Sequence, residues 1–251
     1  MYELFLKAWN DLGFSGTHPL ARAYFKDLVR RYAESHRYYH DWVHIEKMLK
    51  FLTEESNSFD PDPQTVMAAF YHDAIYTVPG VEAEPEFRGM SSEEASSVLF
   101  RRHFIGLGND AAMHRICKLI STTGDYLTKG SQNNLGDADL IGLSREGEFL
   151  SNGDLIRQEF QRVPELEFMS GRRKFYEAML ALPNIFHSPR YREHSEPVAR
   201  VLMQAEVDRL KQEGYGHFHG TMHGPGDEAT RCGTERFTLD STRTSRVRIV
   251  M

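Results

Sequence analysis

Hydrophobic residues recur along most of this chain at intervals of three and four positions, which is the period of an amphipathic α-helix. The segments 20–32 and 45–52 show the pattern clearly, and it returns at several places up to residue 205. Pro and Gly mark the breaks between these segments. No stretch alternates with the period of two that is typical of a strand. The pattern predicts about nine helices and an all-α fold.

The composition changes near Gly214, where the helical pattern ends. Residues 214–251 are rich in Gly, Thr and Arg and show no amphipathic period. We therefore expect residues 1–213 to form one domain and residues 214–251 to be a disordered tail. His217, His219 and His223 lie in this segment; they would suit a soft divalent metal if it were ordered, and a flexible tail with incidental histidines is the preferred interpretation.

The charge and cysteine content exclude several classes of partner and compartment. The chain has 30 Lys+Arg and 36 Asp+Glu, a formal net charge of −6, and no basic run, so nucleic acid is not expected as a partner. No apolar run is long enough to cross a membrane, and the N-terminus lacks the pattern of a signal peptide. The two cysteines are too few for a disulfide framework. We expect a cytoplasmic protein without a membrane partner.

Twelve histidines are the unusual feature of the composition. In RYYHDWVHIEKML, His40 and His44 are four residues apart on a predicted helix, so both rings should project from one face. In FYHDAIY, His72 and Asp73 follow an apolar run that should be buried. Buried titratable groups are costly without a partner, and a bound cation would supply one. The alternative is a histidine bonded to the backbone next to a capping aspartate.

A third cluster, DADLIGL, contains two aspartates at a predicted helix start. Asp137 is expected to be an N-cap, since Asp before a helix usually is. Asp139 lies among apolar residues, and a ligand role and a structural role are equally consistent with its position.

The order of these motifs resembles the HD superfamily of metal-dependent phosphohydrolases, in which a His is followed by a His-Asp pair and a distant Asp. RYYHDWVHIEKML, FYHDAIY, SSEEASS and DADLIGL are similar to a bacterial-type branch of predicted phosphohydrolases related to the HD/PDEase domain. The resemblance covers residues 2–210. It implies an HD-domain helical bundle in which His44, His72, Asp73 and Asp139 coordinate a divalent metal.

The resemblance also implies roles around that metal. His40 would lie outside the ligand set and protonate the leaving oxygen. Glu93 and Glu94 match a Glu pair of the branch and would orient the water or a ligand histidine, with helix capping as the alternative. Where the branch commonly has a His, this chain has Asp125, which could hold a second metal or contact substrate.

Four arginines follow the metal motifs. Arg157 and Arg172 are candidates for phosphate contacts, together with Arg173 and Arg200. The alternative for each is an ion pair at the surface with a neighbouring glutamate such as Glu159.

The function expected from the motifs is hydrolysis of a phosphate ester, in a nucleotide or another small phosphorylated molecule, by water activated at the metal. The mixed nitrogen and oxygen ligands suit Mn, Mg, Ni, Co, Zn or Fe. One alternative is a sensor module that binds a nucleotide without turnover. A second is a di-iron oxygenase, which Asp125 disfavours because such sites need additional His ligands.

Overall fold

The chain folds into α-helices joined by short loops. The structure is a computed structural model that describes residues 1–55 and 61–215, and within these ranges it contains no β-strand. The α-helices are α1 Tyr2–Asp11, α2 His18–Tyr32, α3 Trp42–Lys50, α4 Pro63–Tyr71, α5 Ser92–Phe104, α6 Asp110–Thr122, α7 Tyr126–Lys129, α8 Asn134–Leu140, α9 Glu146–Glu159, α10 Glu165–Ala181, α11 Pro189–His194 and α12 Glu196–Gln212. The predicted all-α class is confirmed for the described residues.

The described part of the chain has twelve α-helices where the pattern predicts about nine. The difference comes from short helices: α7, α8 and α11 contain 4, 7 and 6 residues, too few for a 3.6-residue period to register. Apart from residues 214 and 215, the segment expected as a tail, with His217, His219 and His223, lies outside the described residues. None of the described helices is both long enough and apolar enough to span a bilayer.

Side chains at the helix starts explain where several helices begin. Asp41 accepts hydrogen bonds from the backbone N–H groups of Val43 and His44 and so caps α3. Asp62 caps α4 in the same way, with Pro63 at the first helical position. These caps satisfy N–H groups that have no partner within the helix. Helices α3 and α4 therefore start at positions that the local sequence specifies.

Helix α4 is the centre of the core. Residues 66–71 of α4 are all buried, which is typical of a helix enclosed by its neighbours. It packs against α1 and α6 and also contacts α3 and α8. Phe70 meets Phe5 edge to face with ring centroids 5.3 Å apart. Because α4 ends at Tyr71, its C-terminal end places the next residues, His72 and Asp73, in the protein interior.

Buried carboxylates hold the loop that precedes α11. Asp137 is fully buried in α8 and accepts hydrogen bonds from the backbone N–H groups of His187 (2.7 Å) and Ser188 (2.9 Å). Asp137 is therefore not the N-cap that the sequence suggested. Asn133 caps α8 instead, since its side chain accepts from the N–H of Gly136.

His103, on α5, is a buried histidine remote from these loops. Its ring stacks on Tyr24 with centroids 4.2 Å apart, and its Nδ1 lies 2.9 Å from the Tyr71 hydroxyl. Burial disfavours the charged ring and, despite the opposing charge of Asp27, lowers the pKa of His103 to about 4. The folded protein therefore keeps this ring neutral at pH values where the unfolded chain protonates it.

This difference predicts that acid weakens the fold through His103. Its folded pKa is below the ordinary value of about 6.5, so its contribution is complete above pH 6.5 and falls as the pH drops towards 4. Between pH 7.5 and pH 5, we expect the free energy of unfolding to fall by about 1 to 2 kcal/mol more than in His103→Asn, which does not titrate. Urea unfolding at both pH values measures this. Equal losses in the two proteins would contradict it.

Candidate functional site

Three helices bring a group of possible metal ligands together. His44 lies in the first turn of α3, His72 follows the last residue of α4, and Asp139 lies in the last turn of α8. One ligand atom from each lies within 4.8 Å of the others, so these residues could hold a metal ion. His44 Nε2 and His72 Nε2 lie 3.1 and 3.8 Å from Asp139 Oδ1. Ligands about 2.1 Å from one ion and at right angles to each other are about 3 Å apart, so these separations suit a small cation.

The orientation of His72 supports a cation at this position. Its Nδ1 lies 2.9 Å from the Ala69 carbonyl oxygen, to which it donates, and its Nε2 is turned toward Asp73 and Asp139. The Nε2 is buried and makes no hydrogen bond to any described residue, although Asp73 Oδ2 is 3.1 Å away. A buried Nε2 lone pair beside two carboxylates needs a proton or a cation between them.

The charges of the cluster favour bound positive charge. Burial by itself would lower the pKa of His72, but the carboxylates of Asp73 and Asp139 outweigh it and raise that pKa to about 9. Burial would raise the pKa of Asp73, and His72 holds it well below its usual range instead. The pKa of Asp139 is also lowered: burial acts against this, but the hydrogen bond from His44 prevails. Two imidazoles and two ionised carboxylates form a donor set that fits a divalent metal.

Asp73 is the predicted ligand that stands apart. It contacts the group through His72 but does not belong to the three residues whose ligand atoms are mutually close. Its side chain lines the adjacent cavity, and its backbone carbonyl accepts a 2.8 Å hydrogen bond from Arg37. The structure therefore places Asp73 at the edge of the candidate centre.

Tyr126 orients Asp139, a role that the sequence analysis missed. The Tyr126 hydroxyl donates to Asp139 Oδ2 at 2.9 Å, which leaves Oδ1 for the side that faces His44 and His72. Such contacts fix the geometry of a metal ligand and are common around metal centres. The only signal in the sequence was position, since Tyr126 directly follows the divergent Asp125.

His40 does not share a helical face with His44. Asp41 caps α3, so the helix begins at Trp42 and His40 lies in the preceding bend. The prediction of an i, i+4 pair on one helix is wrong because this N-cap makes the helix begin after His40. The rings still approach each other, with centroids 5.8 Å apart, because the bend turns His40 toward the cluster.

Glu159 holds His40 in this bend, a role that no pattern in the sequence indicated. Its Oε1 accepts hydrogen bonds from three successive backbone N–H groups, those of Tyr38, Tyr39 and His40, at 2.8 to 2.9 Å. Its Oε2 lies 2.7 Å from His40 Nδ1 and accepts from the Tyr76 hydroxyl at 3.1 Å. Glu159 is therefore a buried anchor at the end of α9, and it pairs with none of the arginines that the structure describes.

Glu159 and His40 shift each other's pKa in opposite directions. Burial would raise the pKa of Glu159, but the charge of His40 and the donated hydrogen bonds lower it to about 2. Burial would lower the pKa of His40, and the Glu159 carboxylate outweighs this and raises it. His40 therefore donates Nδ1–H to a permanent carboxylate and retains a proton more firmly than an ordinary histidine.

A cavity of about 460 Å³ opens beside the cluster. Its lining includes polar residues of the candidate centre and, from α9 and α10, the apolar side chains of Phe149, Ile156 and Phe175. Such a volume, with a few polar groups among apolar walls, is typical of sites for small molecules. The polar lining residues near the candidate centre include Tyr39, His40, Asp73, Glu93, Tyr126 and Asp139.

The paired glutamates of α5 have different positions. Glu93 is buried, lines the cavity and packs against Gly124, where an added Cβ would lie 3.2 Å from its carboxyl carbon. Glu94 forms a capping box with Ser91 at the start of α5 and is exposed. The structure therefore gives Glu94 the capping role and places Glu93 at the site.

The remaining predicted residues separate into cavity and non-cavity positions. Asp125 and Arg172 line the cavity, and Asp125 Oδ2 accepts a 2.9 Å hydrogen bond from Lys129. Arg157 instead donates to the carbonyl oxygens of Phe160 and Val163 beyond the end of α9. Those backbone carbonyls hold its guanidinium, and Arg157 is not among the residues that line the cavity. The phosphate contact expected at Arg157 stays a prediction.

Comparisons with known proteins found no relative of this chain. No protein-family model matches the chain, and neither the curated proteins nor the solved structures contain a significant match.

The buried position of Glu159 predicts a large effect of Glu159→Gln on stability. The variant keeps the shape but removes the charge that faces His40 and weakens five hydrogen bonds. Because the pKa of Glu159 is lowered to about 2, we expect the free energy of unfolding at pH 7 to fall by about 2 to 4 kcal/mol.

Urea unfolding measures this loss. Asp154→Asn, exposed on the same helix, is the matched control and should change the free energy of unfolding by less than about 0.5 kcal/mol. A loss in Glu159→Gln no larger than that of the control would show that the carboxylate is unimportant for the fold.

Proposed function

We propose that this protein is a divalent-metal-dependent hydrolase of small phosphate esters. The observation that carries the proposal is the buried Nε2 of His72, which makes no hydrogen bond to a described residue and faces two carboxylates next to a cavity of about 460 Å³. A cation suits this arrangement, and the cavity leaves room for a substrate beside it. Membership of the HD superfamily, which the motifs suggest, is part of the same proposal.

His44, His72 and Asp139 would hold the metal, with Asp73 as the fourth candidate ligand. The ligand types suit Mn, Mg, Ni, Co, Zn or Fe. When bound, such an ion supplies Lewis acidity, since it lowers the pKa of water and neutralises charge on a phosphoryl oxygen. Tyr126 keeps Asp139 oriented for this purpose.

His40 is the proposed general acid. It lines the cavity, and Glu159 fixes its ring through Nδ1. With Nδ1–H donated to Glu159, the proton available to a substrate is the one on Nε2. The raised pKa of His40 favours this protonated form, which would donate to the leaving oxygen as the ester bond breaks. Glu159 acts through His40 and is a positioning residue.

Glu93 is the proposed hydrogen-bond acceptor for the attacking water. Its carboxyl group is buried in the cavity wall together with Asp73 and Asp139. A carboxylate at this position would orient the water and take up a proton as the bond to phosphorus forms. The substrate would be a small phosphorylated molecule, with nucleotides among the candidates, in keeping with the volume of the cavity.

The metal assignment predicts that Asp139→Asn loses metal and activity together. The amide keeps the shape of the side chain but has no negative charge, so we expect metal affinity to fall at least tenfold and hydrolysis to become undetectable. Elemental analysis after reconstitution with each candidate ion, followed by a screen of phosphate esters, measures both. Asp110→Asn, at the exposed start of α6, is the control that should keep both. Full metal content in Asp139→Asn would refute the assignment.

The role of His40 predicts a different outcome for His40→Gln. Loss of the acid should lower kcat by about 10²- to 10⁴-fold while the metal content stays the same. Steady-state kinetics with elemental analysis of the same sample separates the two properties. Loss of metal in this variant would make His40 a ligand.

The same samples distinguish the alternative functions. Tight nucleotide binding with metal and no product would identify a sensor, whereas bound iron with oxygen uptake would identify an oxygenase.

A further inference from the structure

The four arginines that follow the metal motifs have different surroundings. Three of them use their guanidinium groups to hold the fold, through hydrogen bonds to backbone carbonyls or carboxylates: Arg157, Arg173 and Arg200. The fourth, Arg172 on α10, lines the cavity. Its surroundings therefore decide whether it has a binding role.

The guanidinium of Arg172 is enclosed and only partly neutralised. Its side chain is 11% exposed, and its Nε faces Glu206 at 3.6 Å. Glu206 also accepts two 2.8 Å hydrogen bonds from Arg209, and these bonds, together with the contact from Arg172, lower the pKa of this carboxylate. Arg172 lies over the ring of Tyr176, 5.0 Å from its centroid. Its Nη1 and Nη2 groups donate to no described residue, so their N–H donors are available to a ligand in the cavity.

Gly153 makes room for this guanidinium. It lies in the interior of α9 and lines the cavity, and a Cβ added there would collide with the guanidinium of Arg172. A glycine inside a helix costs about 0.5 to 1 kcal/mol relative to alanine. Here it allows the flat guanidinium to lie directly against the helix. The position of Arg172 is therefore built by two helices, α9 and α10.

This part of the cavity is separate from the candidate metal centre. The metal ligands come from α3, from α8 and from the two residues that follow α4, whereas Arg172 and Gly153 come from α10 and α9. No hydrogen bond or ion pair joins Arg172 to a described residue of the metal centre. Phe149 and Ile156 of α9 also line the cavity and give part of its wall an apolar character. A ligand that contacts both Arg172 and the metal centre would carry a phosphoryl group, an apolar part and a second hydrogen-bond acceptor.

We infer that Arg172 forms a second anion-binding subsite that recognises an oxyanion at the end of the substrate opposite the scissile phosphate. The inference rests on the proposed function, and it narrows the substrate class to phosphate esters that carry a second anionic group, a carboxylate or a further phosphate. A guanidinium with open donors in an enclosed wall is suited to the two oxygens of such a group.

The test uses aryl phosphates that differ in one charge. Wild-type protein, loaded with the metal that supports turnover, is assayed with 4-carboxyphenyl phosphate, with 4-(2-carboxyethyl)phenyl phosphate and with the neutral carboxamide of each. We expect kcat/KM of the better carboxylate to exceed that of its carboxamide at least tenfold, which is the ratio that a charge-assisted hydrogen bond of about 1.4 kcal/mol gives. A ratio near one for both pairs would overturn the inference.

Two variants locate the effect. Arg172→Gln should bring the carboxylate-to-carboxamide ratio close to one, and Gly153→Ala should lower it by displacing the guanidinium. Arg30→Gln on the exposed face of α2 is the control and should keep the wild-type ratio. If Arg172→Gln lowers kcat/KM of both esters by the same factor, Arg172 contacts the scissile phosphate and the second subsite does not exist.

A binding measurement separates the failure of the subsite from the failure of the proposed hydrolase. Calorimetry with 4-carboxybenzylphosphonate and its carboxamide requires no turnover. A Kd at least tenfold lower for the carboxylate, lost in Arg172→Gln, would support the subsite even if no ester is hydrolysed. Equal Kd values in the wild type would overturn it. The melting temperature of each variant, followed by circular dichroism, checks that the fold is retained.

Discussion

A carboxylate that is removed from water needs hydrogen-bond donors or positive charge. In this protein, buried carboxylates accept hydrogen bonds from backbone N–H groups of loops, and these bonds hold the loops around the cavity in place. Glu159 binds three successive N–H groups of the bend at residues 38–40, and Asp137 binds two N–H groups of the loop before α11. Glu196 does the same for Ile185 and Phe186. Each carboxylate thereby fixes a loop that a helical core alone would leave unsupported.

In the candidate metal centre, the buried carboxylates face imidazole rings instead of backbone N–H groups. Asp73 and Asp139 face imidazoles, and His72 presents an Nε2 without a hydrogen-bond partner among the described residues. Because carboxylates and imidazole lone pairs repel each other, this arrangement needs positive charge between them, which a proton on His72 or a bound metal ion would supply. A metal-binding function is therefore consistent with the electrostatics that hold the rest of the interior together.

The arginines show the complementary arrangement. Arg37 is buried and donates to the carbonyl oxygens of His40, Asp73 and Ala74, so it joins the bend that carries His40 to the end of α4. Arg172 is also enclosed, but it lines the cavity and has Glu206 as its ionic partner. One arginine thus positions site residues, whereas the other is the one proposed to bind a ligand. The proposed substrate, with a second anionic group, follows from this difference.

The sequence by itself determined the helical class and the burial of α4, because a helical period and an apolar run are local properties. It indicated His44, His72 and Asp139 through the order of motifs that resembles a known family, and the structure brings these three residues together. Only the tertiary structure decided that His40 precedes its helix, that Asp137 binds a distant loop, and that Glu159 anchors the bend. Glu159 is separated from His40 by 119 residues, and their contact depends on how α9 packs. Local patterns cannot specify such contacts, since a buried charge is stabilised by whichever partners the folded chain brings to it.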